Sequence, residues 1–356
     1  MISNFHRIPA ASVSGVPRGG PACERSSPMA VLGLELERVR RKTLAISVVA
    51  LLAVGLTACS STGPGKANTT STVPPTSSAP PTTSASASPG ITSVRVQVVE
   101  TPDGRIAYRQ LGNGTPLLLI MGLGGSIDDW EPAFVNALAS HYRVIVFNNA
   151  GVGRTSPLSP LTITAMAAQT SAFISALGLG RVDVLGWSMG GMVAQALTVV
   201  HPSQVSRLVL AATQPGTGHA LPVPSAAAAD VLSTNPATVL SVLFPPGQAA
   251  AERTYVNGIL SYPGYYEAPR DTVLSQNVAV QAWISGAESP GHLVGAIRVP
   301  TLVADGTLDA LDPVSNDRML AAAIPGAQLV LYPAAGHAFL FQDAAAFVPR
   351  VENFLG

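Results

Sequence analysis

From about residue 91 onward, strand-like and helix-like hydrophobic patterns alternate along the chain. Short apolar runs are typical of β-strands, and the continuous ones suit strands that are buried on both faces. Longer stretches between them have the apolar spacing of amphipathic helices. This alternation predicts a mostly parallel, eight-stranded sheet flanked by helices, with antiparallel strands at the start. The predicted strands cover residues 93–100, 105–112, 115–122, 142–148, 182–187, 205–212, 299–306 and 327–336, and the predicted helices cover residues 130–140, 163–178, 192–202 and 339–355.

The pattern is interrupted between residues 213 and 297, where no clear buried strand occurs. This stretch combines alanine-rich helical segments, prolines and most of the tyrosines. The simplest account is a helical cap that is inserted after the sixth strand. We therefore predict a core in two parts, residues 91–212 and 298–356, with the cap at residues 213–297 between them.

Residues 1–58 have the features of an export leader. Basic side chains precede an apolar run that is shorter than the roughly 20 residues of a membrane-spanning helix. The run ends in Leu56-Thr57-Ala58-Cys59, which resembles a bacterial lipobox. This resemblance implies lipidation of Cys59, and a plain signal peptide with a chance cysteine is the alternative. The true start is either Met1 or Met29.

Residues 59–90 are dominated by serine, threonine and proline. Their few apolar side chains cannot offset the entropy cost of ordering, so a disordered tether is expected. With a lipidated Cys59, the tether predicts an exported protein that is anchored to the membrane of the cell envelope.

The charge balance narrows the range of partners. The 20 basic and 20 acidic side chains give a net charge of +0, whereas nucleic-acid binding usually needs a basic patch. Neither cysteine, Cys23 or Cys59, lies in the globular part, so a metal site would have to consist of histidine and carboxylate ligands. We expect a small-molecule substrate, no nucleic-acid partner, no cofactor and no metal.

One serine stands where a predicted strand turns into a predicted helix, in Gly186-Trp187-Ser188-Met189-Gly190. A residue at the tip of such a turn is forced toward positive φ, and the flanking glycines allow strand and helix to approach closely. The turn holds the Ser188 hydroxyl out at the carboxyl end of the sheet, where the helix N-terminus favours negative charge. This placement suits a nucleophile.

Residues 94–356 resemble the α/β-hydrolase superfamily. The resemblance is carried by this motif, by residues 299–309 and by a Gly-His pair near the end. The resemblance implies an α/β-hydrolase fold whose catalytic partners follow in the order nucleophile, acid, histidine. Elimination supports His337, which lies just past the last predicted strand. The other histidines lie in the leader, before Ser188, at a helix end or in the predicted cap, at positions 6, 141, 201, 219 and 292.

Three aspartates follow the seventh predicted strand and are candidates for the acid. The family pattern G-x-x-D, here residues 306–309, implies Asp309. Asp305 is too close to the strand end, and Asp312, which precedes a proline, is an alternative that could instead cap the next helix.

Attack of a serine on a carbonyl carbon forms an oxyanion, which backbone N–H donors stabilise. Met189 N–H is one by construction, and resemblance to a His-Gly-x-Gly loop implies Leu123 N–H as the other. This chain has Met121 where the family often has histidine, and residues 148–153 lack the charge pair of the family's Asp-x-Arg-Gly-x-Gly. Both departures affect the expected substrate more than the expected reaction.

The resemblance implies a serine hydrolase, carboxylesterase-like or lipase-like, that acts on neutral, hydrophobic esters through an acyl-enzyme. Amidase, carbon–carbon hydrolase and perhydrolase chemistry are alternatives, as is a catalytically silent ligand-binding protein of the same fold. Aromatic side chains could line an acyl pocket or pack the cap's own core. The pocket candidates are Trp187, Trp283, Phe244 and Tyr262.

Overall fold

The computed structural model describes residues 90–356 and consists of one eight-stranded sheet with helices on both faces. The predicted leader, the predicted lipidation site Cys59 and all of the predicted tether except Gly90 lie outside the described residues. The strand order is β1-β2-β4-β3-β5-β6-β7-β8, and only the β1–β2 and β2–β4 pairs are antiparallel. The predicted mostly parallel sheet is therefore confirmed. The strands are β1 (Gln97–Thr101), β2 (Gly104–Leu111), β3 (Pro116–Ile120), β4 (Arg143–Phe147), β5 (Val182–Trp187), β6 (Val205–Ala211), β7 (Thr301–Gly306) and β8 (Gln328–Tyr332).

Ten α-helices accompany the strands in the described part of the chain. None of these helices is both long and apolar enough to cross a membrane. The helices are α1 (Pro132–Leu138), α2 (Ile163–Ala176), α3 (Met189–Val200), α4 (Ser225–Val231), α5 (Pro236–Leu243), α6 (Ala249–Ile259), α7 (Arg270–Ile284), α8 (Val314–Ala323), α9 (Phe339–Gln342) and α10 (Ala344–Leu355).

The central strands are apolar on both faces because each face packs against a helical layer. In β3, Leu117 and Leu119 pack into the core that contains side chains of α1 and α10. The alternate residues Leu118 and Ile120 pack into the core that contains side chains of α2 and α3. Successive side chains of a strand point to opposite faces, so a continuous apolar run fills both cores at once.

The two ends of the described chain differ from the sequence prediction. The first strand begins at Gln97 rather than at residue 93, because a 3₁₀ turn over Ile91–Ser93 precedes it and buries Ile91 completely. The last helix is divided at Asp343, whose φ of −110° and ψ of 30° are not helical. The apolar spacing of the sequence revealed neither the 3₁₀ turn before β1 nor the interruption of the last helix at Asp343.

The chain between β6 and β7 forms α4 to α7 and a 3₁₀ helix over Ser289–Ala296. We call residues 213–297 the β6–β7 segment. It contacts loops at the carboxyl ends of the strands: Ala338 N–H donates to Leu243 O at 3.0 Å, and Thr272 Oγ1 donates to Gly151 O at 3.2 Å. Its helices therefore lie against the edge of the sheet at which Ser188 is placed.

The turn between β5 and α3 depends on a close approach of main-chain segments. Ser188 has a φ of 56° and a ψ of −124°, a strained conformation for a residue with a side chain. A Cβ atom on Gly190 would overlap the carbonyl group of Ile120 in β3, and one on Gly186 would overlap the carbonyl group of Gly190. Only glycine therefore fits at positions 186 and 190, where β3, β5 and α3 meet.

We expect Gly190→Ala to lower the free energy of unfolding by at least about 2 kcal/mol, because the added methyl group must displace main-chain atoms. Urea denaturation followed by circular dichroism measures the change. Gly295→Ala is the matched control, since its Cβ would approach only Ala323 O, at an ordinary 3.4 Å. Equal stability of the two variants would contradict the close approach.

Candidate active site

The backbone of Ser188 is fixed by hydrogen bonds, whereas its hydroxyl forms none with the residues that the structure describes. Ser188 N–H donates to Ala211 O at 2.9 Å, and Ser188 O accepts from Gly191 N–H at 2.9 Å and from Thr213 Oγ1 at 2.8 Å. The hydroxyl forms no hydrogen bond that caps α3. The strained turn is thus held by its surroundings while the side chain is left available.

His337 and Asp309 form a short, buried pair. His337 Nδ1 lies 2.6 Å from Asp309 Oδ2, and the side chains of the two residues are 5% and 0% exposed. Asp309 Oδ1 accepts from the backbone N–H groups of Leu311 at 2.6 Å and Asp312 at 2.8 Å. A carboxylate can only accept, so the proton of neutral His337 is assigned to Nδ1, which leaves Nε2 as a base. The acid assigned from the family pattern is therefore the one that touches the histidine.

The loop after β8 brings His337 to the β5–α3 turn. Trp187, which directly precedes Ser188, donates from Nε1 to His337 O at 3.0 Å. The two aromatic rings lie 5.7 Å apart between centroids. Within the described residues, Ser188 Oγ and His337 Nε2 are not hydrogen-bonded to each other. Such bonds are often long before substrate binds.

Both predicted oxyanion donors lie near Ser188. Met189 is the first residue of α3, so its N–H has no acceptor within the helix. The loop after β3 passes close by, since a Cβ atom on Gly122 would lie 3.2 Å from Ser188 Cβ and 3.7 Å from Ser188 Oγ. The next N–H along this loop belongs to Leu123, and it forms no backbone hydrogen bond among the described residues.

Two asparagines that were not predicted as site residues hold this loop. Asn149 Nδ2 donates to Met121 O at 2.8 Å, and Asn148 Oδ1 accepts from Ile127 N–H at 2.7 Å. Asn148 occupies the position of the family's aspartate, Asn149 occupies the unspecified position after it, and Ala150 occupies the position of the family's arginine. The sequence signals for the two asparagines were their place directly after a buried strand and their place in the counterpart of the family's Asp-x-Arg-Gly-x-Gly. Neutral amides thus stabilise a loop that lacks the family's histidine.

Three further aspartates surround the His337–Asp309 pair in the core, namely Asp305, Asp312 and Asp317. Burial, reinforced by neighbouring carboxylates, raises the pKa values of Asp305 and Asp312 well above their usual range. Burial likewise raises the pKa of Asp317 to about 7. Protons thereby reduce the negative charge around Asp309. One oxygen from each of the three lies within 4.8 Å of the others, a spacing that a cation could also bridge.

The two tryptophans proposed as pocket residues are packed into the protein. Trp187 is 5% exposed, and its indole N–H donates to His337 O. Trp283 is fully buried and donates from Nε1 to Gln214 O at 3.2 Å. The burial of Trp283 favours its alternative role in core packing. Trp187 directly precedes Ser188 in the chain.

The other two pocket candidates also make internal contacts. Phe244 is 3% exposed, and its ring packs 5.6 Å from that of Tyr255. Tyr262 donates from its hydroxyl to Trp130 O at 2.9 Å, and its ring lies 4.8 Å from the Arg109 guanidinium carbon. A pocket role for the four aromatic residues stays a prediction.

We expect Asp317→Asn to stabilise the protein more at pH 8 than at pH 5. The folded-state pKa of Asp317 is raised, so its contribution to stability is present below the ordinary value near 4 and is lost as the pH rises through about 7. Asparagine has no such titration. The gain on going from pH 5 to pH 8 should reach at least about 1 kcal/mol in urea denaturation.

Asp271→Asn is the control for this comparison, because Asp271 is an exposed carboxylate in the first turn of α7. Its effect should be the same at both pH values. If Asp317→Asn also shifted stability equally at pH 5 and pH 8, the buried titration would be refuted.

Comparison with known proteins gives consistent matches. A family model described as the alpha/beta hydrolase fold matches residues 115–344. BpoC of Mycobacterium tuberculosis, provisionally named a non-heme bromoperoxidase, is 32% identical over 262 residues, which cover 68% of this chain and 94% of BpoC. The poly(3-hydroxyalkanoate) depolymerase of Ectopseudomonas oleovorans is 32% identical over 247 residues, which cover 68% of this chain and 84% of the depolymerase.

Solved structures give the same result. The alpha/beta hydrolase fold protein from Chitinophaga pinensis superposes with a TM-score of 0.67 at 27% identity, and the match covers 74% of this chain and 98% of that one. The family model spans more than half of the chain, and the strand order and the Ser188 turn accord with it. The chain therefore belongs to the α/β-hydrolase fold family.

Proposed function

We propose that the protein is a serine hydrolase that cleaves ester bonds of small to medium, neutral, hydrophobic substrates. The observation that carries the proposal is the strained Ser188 turn, which packs through Trp187 against the His337–Asp309 pair. Backbone strain of this kind costs about 1–3 kcal/mol and persists only where the surroundings impose it. A ligand-binding protein has no need to retain both the strain and the buried pair, so this observation favours an enzyme over a silent binding protein.

The geometry supports catalysis through an acyl-enzyme. His337 Nε2 takes the proton of Ser188 Oγ as the oxygen attacks the ester carbonyl carbon. Asp309 keeps the imidazole in the required tautomer and stabilises the cation. The N–H groups of Met189 and Leu123 stabilise the oxyanion. His337 then gives its proton to the leaving alcohol, and a water molecule releases the acid by the same steps.

The choice of bond is supported by charge and by one relative. The β6–β7 segment, which lies over the strand ends, is rich in uncharged side chains, and this favours neutral substrates. The E. oleovorans relative is named for the depolymerisation of a polyester, which is ester chemistry. Perhydrolysis is the second candidate, since the M. tuberculosis relative is named a bromoperoxidase. In the proposed enzyme the β6–β7 segment acts as a cap.

Membrane attachment is the other part of the proposal. It is supported by the sequence of residues 1–90 alone, in which Cys59 ends a lipobox-like tetrapeptide and precedes the tether. A diacylglyceryl group carries two acyl chains, and two chains anchor a protein stably where one does not. The enzyme would then act outside the cytoplasm, at a distance from the bilayer set by the tether.

We expect Ser188→Ala to lower kcat for p-nitrophenyl butyrate by at least about 1,000-fold, because no other group supplies the nucleophile. Asp309→Asn should lower kcat by at least about 100-fold, since an amide favours the wrong histidine tautomer. Ser203→Ala, at an exposed serine, is the control and should have wild-type activity. Retention of wild-type turnover by Ser188→Ala would refute the proposed reaction.

We expect the full chain, produced in a bacterium, to partition into the detergent phase of a Triton X-114 extract. Cys59→Ser should move it to the aqueous phase, because the acceptor of the lipid is lost. Cys23→Ser is the matched control, since Cys23 lies in the predicted leader. If Cys59→Ser partitioned like the wild type, Cys59 would not be the anchor.

A further inference from the structure

One glutamine of the β6–β7 segment reaches the loop that carries a predicted oxyanion donor. Gln276 lies on α7 and is fully buried. Its Oε1 accepts from Gly124 N–H at 2.8 Å, and its Nε2 donates to Ala150 O at 3.3 Å. A single side chain therefore joins α7 to the loops after β3 and β4, and both ends of its amide are used.

The bonded N–H group belongs to the residue that follows Leu123. Gly124 has a φ of +69°, and a Cβ atom there would lie 3.0 Å from Val273 Cγ2, so the loop and α7 are in close contact at this point. Fixing Gly124 N–H fixes the plane of the Leu123–Gly124 peptide. Leu123 N–H belongs to the preceding peptide plane, which meets this one at Leu123 Cα. Fixing one plane therefore leaves the other only rotation about φ and ψ of Leu123.

Other hydrogen bonds also hold the loop. Gly125 N–H donates to Gly122 O at 3.3 Å across Leu123. Asn149 holds Met121 O, and Asp129 Oδ2 accepts from Ser126 N–H at 2.6 Å. Gln276 is the one buried side chain in the described contacts that bonds between Met121 and Ser126, at Gly124. A packing role alone would need no polar atoms, and an unpaired buried amide would be costly.

We propose that Gln276 is a positioning residue that directs Leu123 N–H toward the oxyanion. This inference rests on the proposed function. It makes α7 a contributor to transition-state stabilisation in addition to a cover over the site. Loss of one oxyanion donor typically costs about 100- to 1,000-fold in rate, so a loosened donor should cost less.

The test compares Gln276→Met with Gln281→Met in the full-length protein, using p-nitrophenyl butyrate. Methionine keeps the length of the side chain and removes both hydrogen bonds. Gln281 lies on the same helix and is exposed, so its replacement is the matched control. Gln276→Met should lower kcat by about 10- to 100-fold with KM within about threefold of the wild type, because the lost interaction acts in the transition state. Gln281→Met should leave both constants unchanged.

Gln276→Glu supplies a second measurement, the pH dependence of kcat, which is compared with the stability of the folded variant at each pH by circular dichroism. A protonated glutamic acid can accept from Gly124 N–H and donate to Ala150 O, whereas the ionised form can only accept. Ionisation therefore breaks the bond that ties the side chain to Ala150 O, and it places a negative charge beside the loop that carries Leu123 N–H. The kcat of this variant relative to the wild type should fall as the pH rises from 5 to 8. This ratio also tests the inference if Gln276→Met proves too unstable to assay.

The inference is overturned if Gln276→Met has the kcat of the wild type, whether or not its KM rises. It is also overturned if the kcat of Gln276→Glu relative to the wild type does not change with pH. If the wild type is active and loses activity in Ser188→Ala while Gln276→Met is unaffected, only this inference fails. If the wild type shows no turnover that depends on Ser188, the proposed function fails and the role of Gln276 fails with it.

Discussion

The meeting of β3, β5 and α3 is the constraint on which the rest of the structure depends. Gly190 approaches the Ile120 carbonyl group so closely that no side chain fits between them. Ser188 must then turn sharply, with a φ of 56°, and the strain is balanced by the packing of the strands and helix around it. Because of this turn, one hydroxyl stands at the strand ends, where the loops after β3 and β8 can approach it.

Different polar groups hold the two sides of the site. On the His337 side, Asp309 is held by two backbone donors and surrounded by carboxyl groups whose raised pKa values favour the uncharged form. On the Leu123 side, amides of Asn149 and Gln276 hold the loop. The amides of Asn149 and Gln276 do not titrate between pH 5 and pH 8. Asp129, which accepts from Ser126 N–H in the same loop, does titrate there, because burial raises its pKa to about 6.

Much of the fold could be predicted because its signals are local. Buried strands such as β3 are continuous apolar runs, and the Gly186–Gly190 motif marks the turn by itself. The proximity of Asp309 and His337 also agrees with the order implied by the family, although their roles stay predictions. Gln276 could not be found in this way, since its partners lie 152 and 126 residues away and nothing in the pattern of α7 distinguishes it from Gln281. The buried carboxyl cluster around Asp309 likewise depends on packing between β7 and α8.

The central claim is that Ser188 is the reactive nucleophile. Incubation of the native protein with a fluorophosphonate, followed by proteolysis and mass spectrometry, tests it most directly, because such reagents phosphonylate an activated serine. The account predicts a single adduct on Ser188 that is absent after heat denaturation. An adduct on another residue, or none on Ser188 in the folded protein, would contradict it.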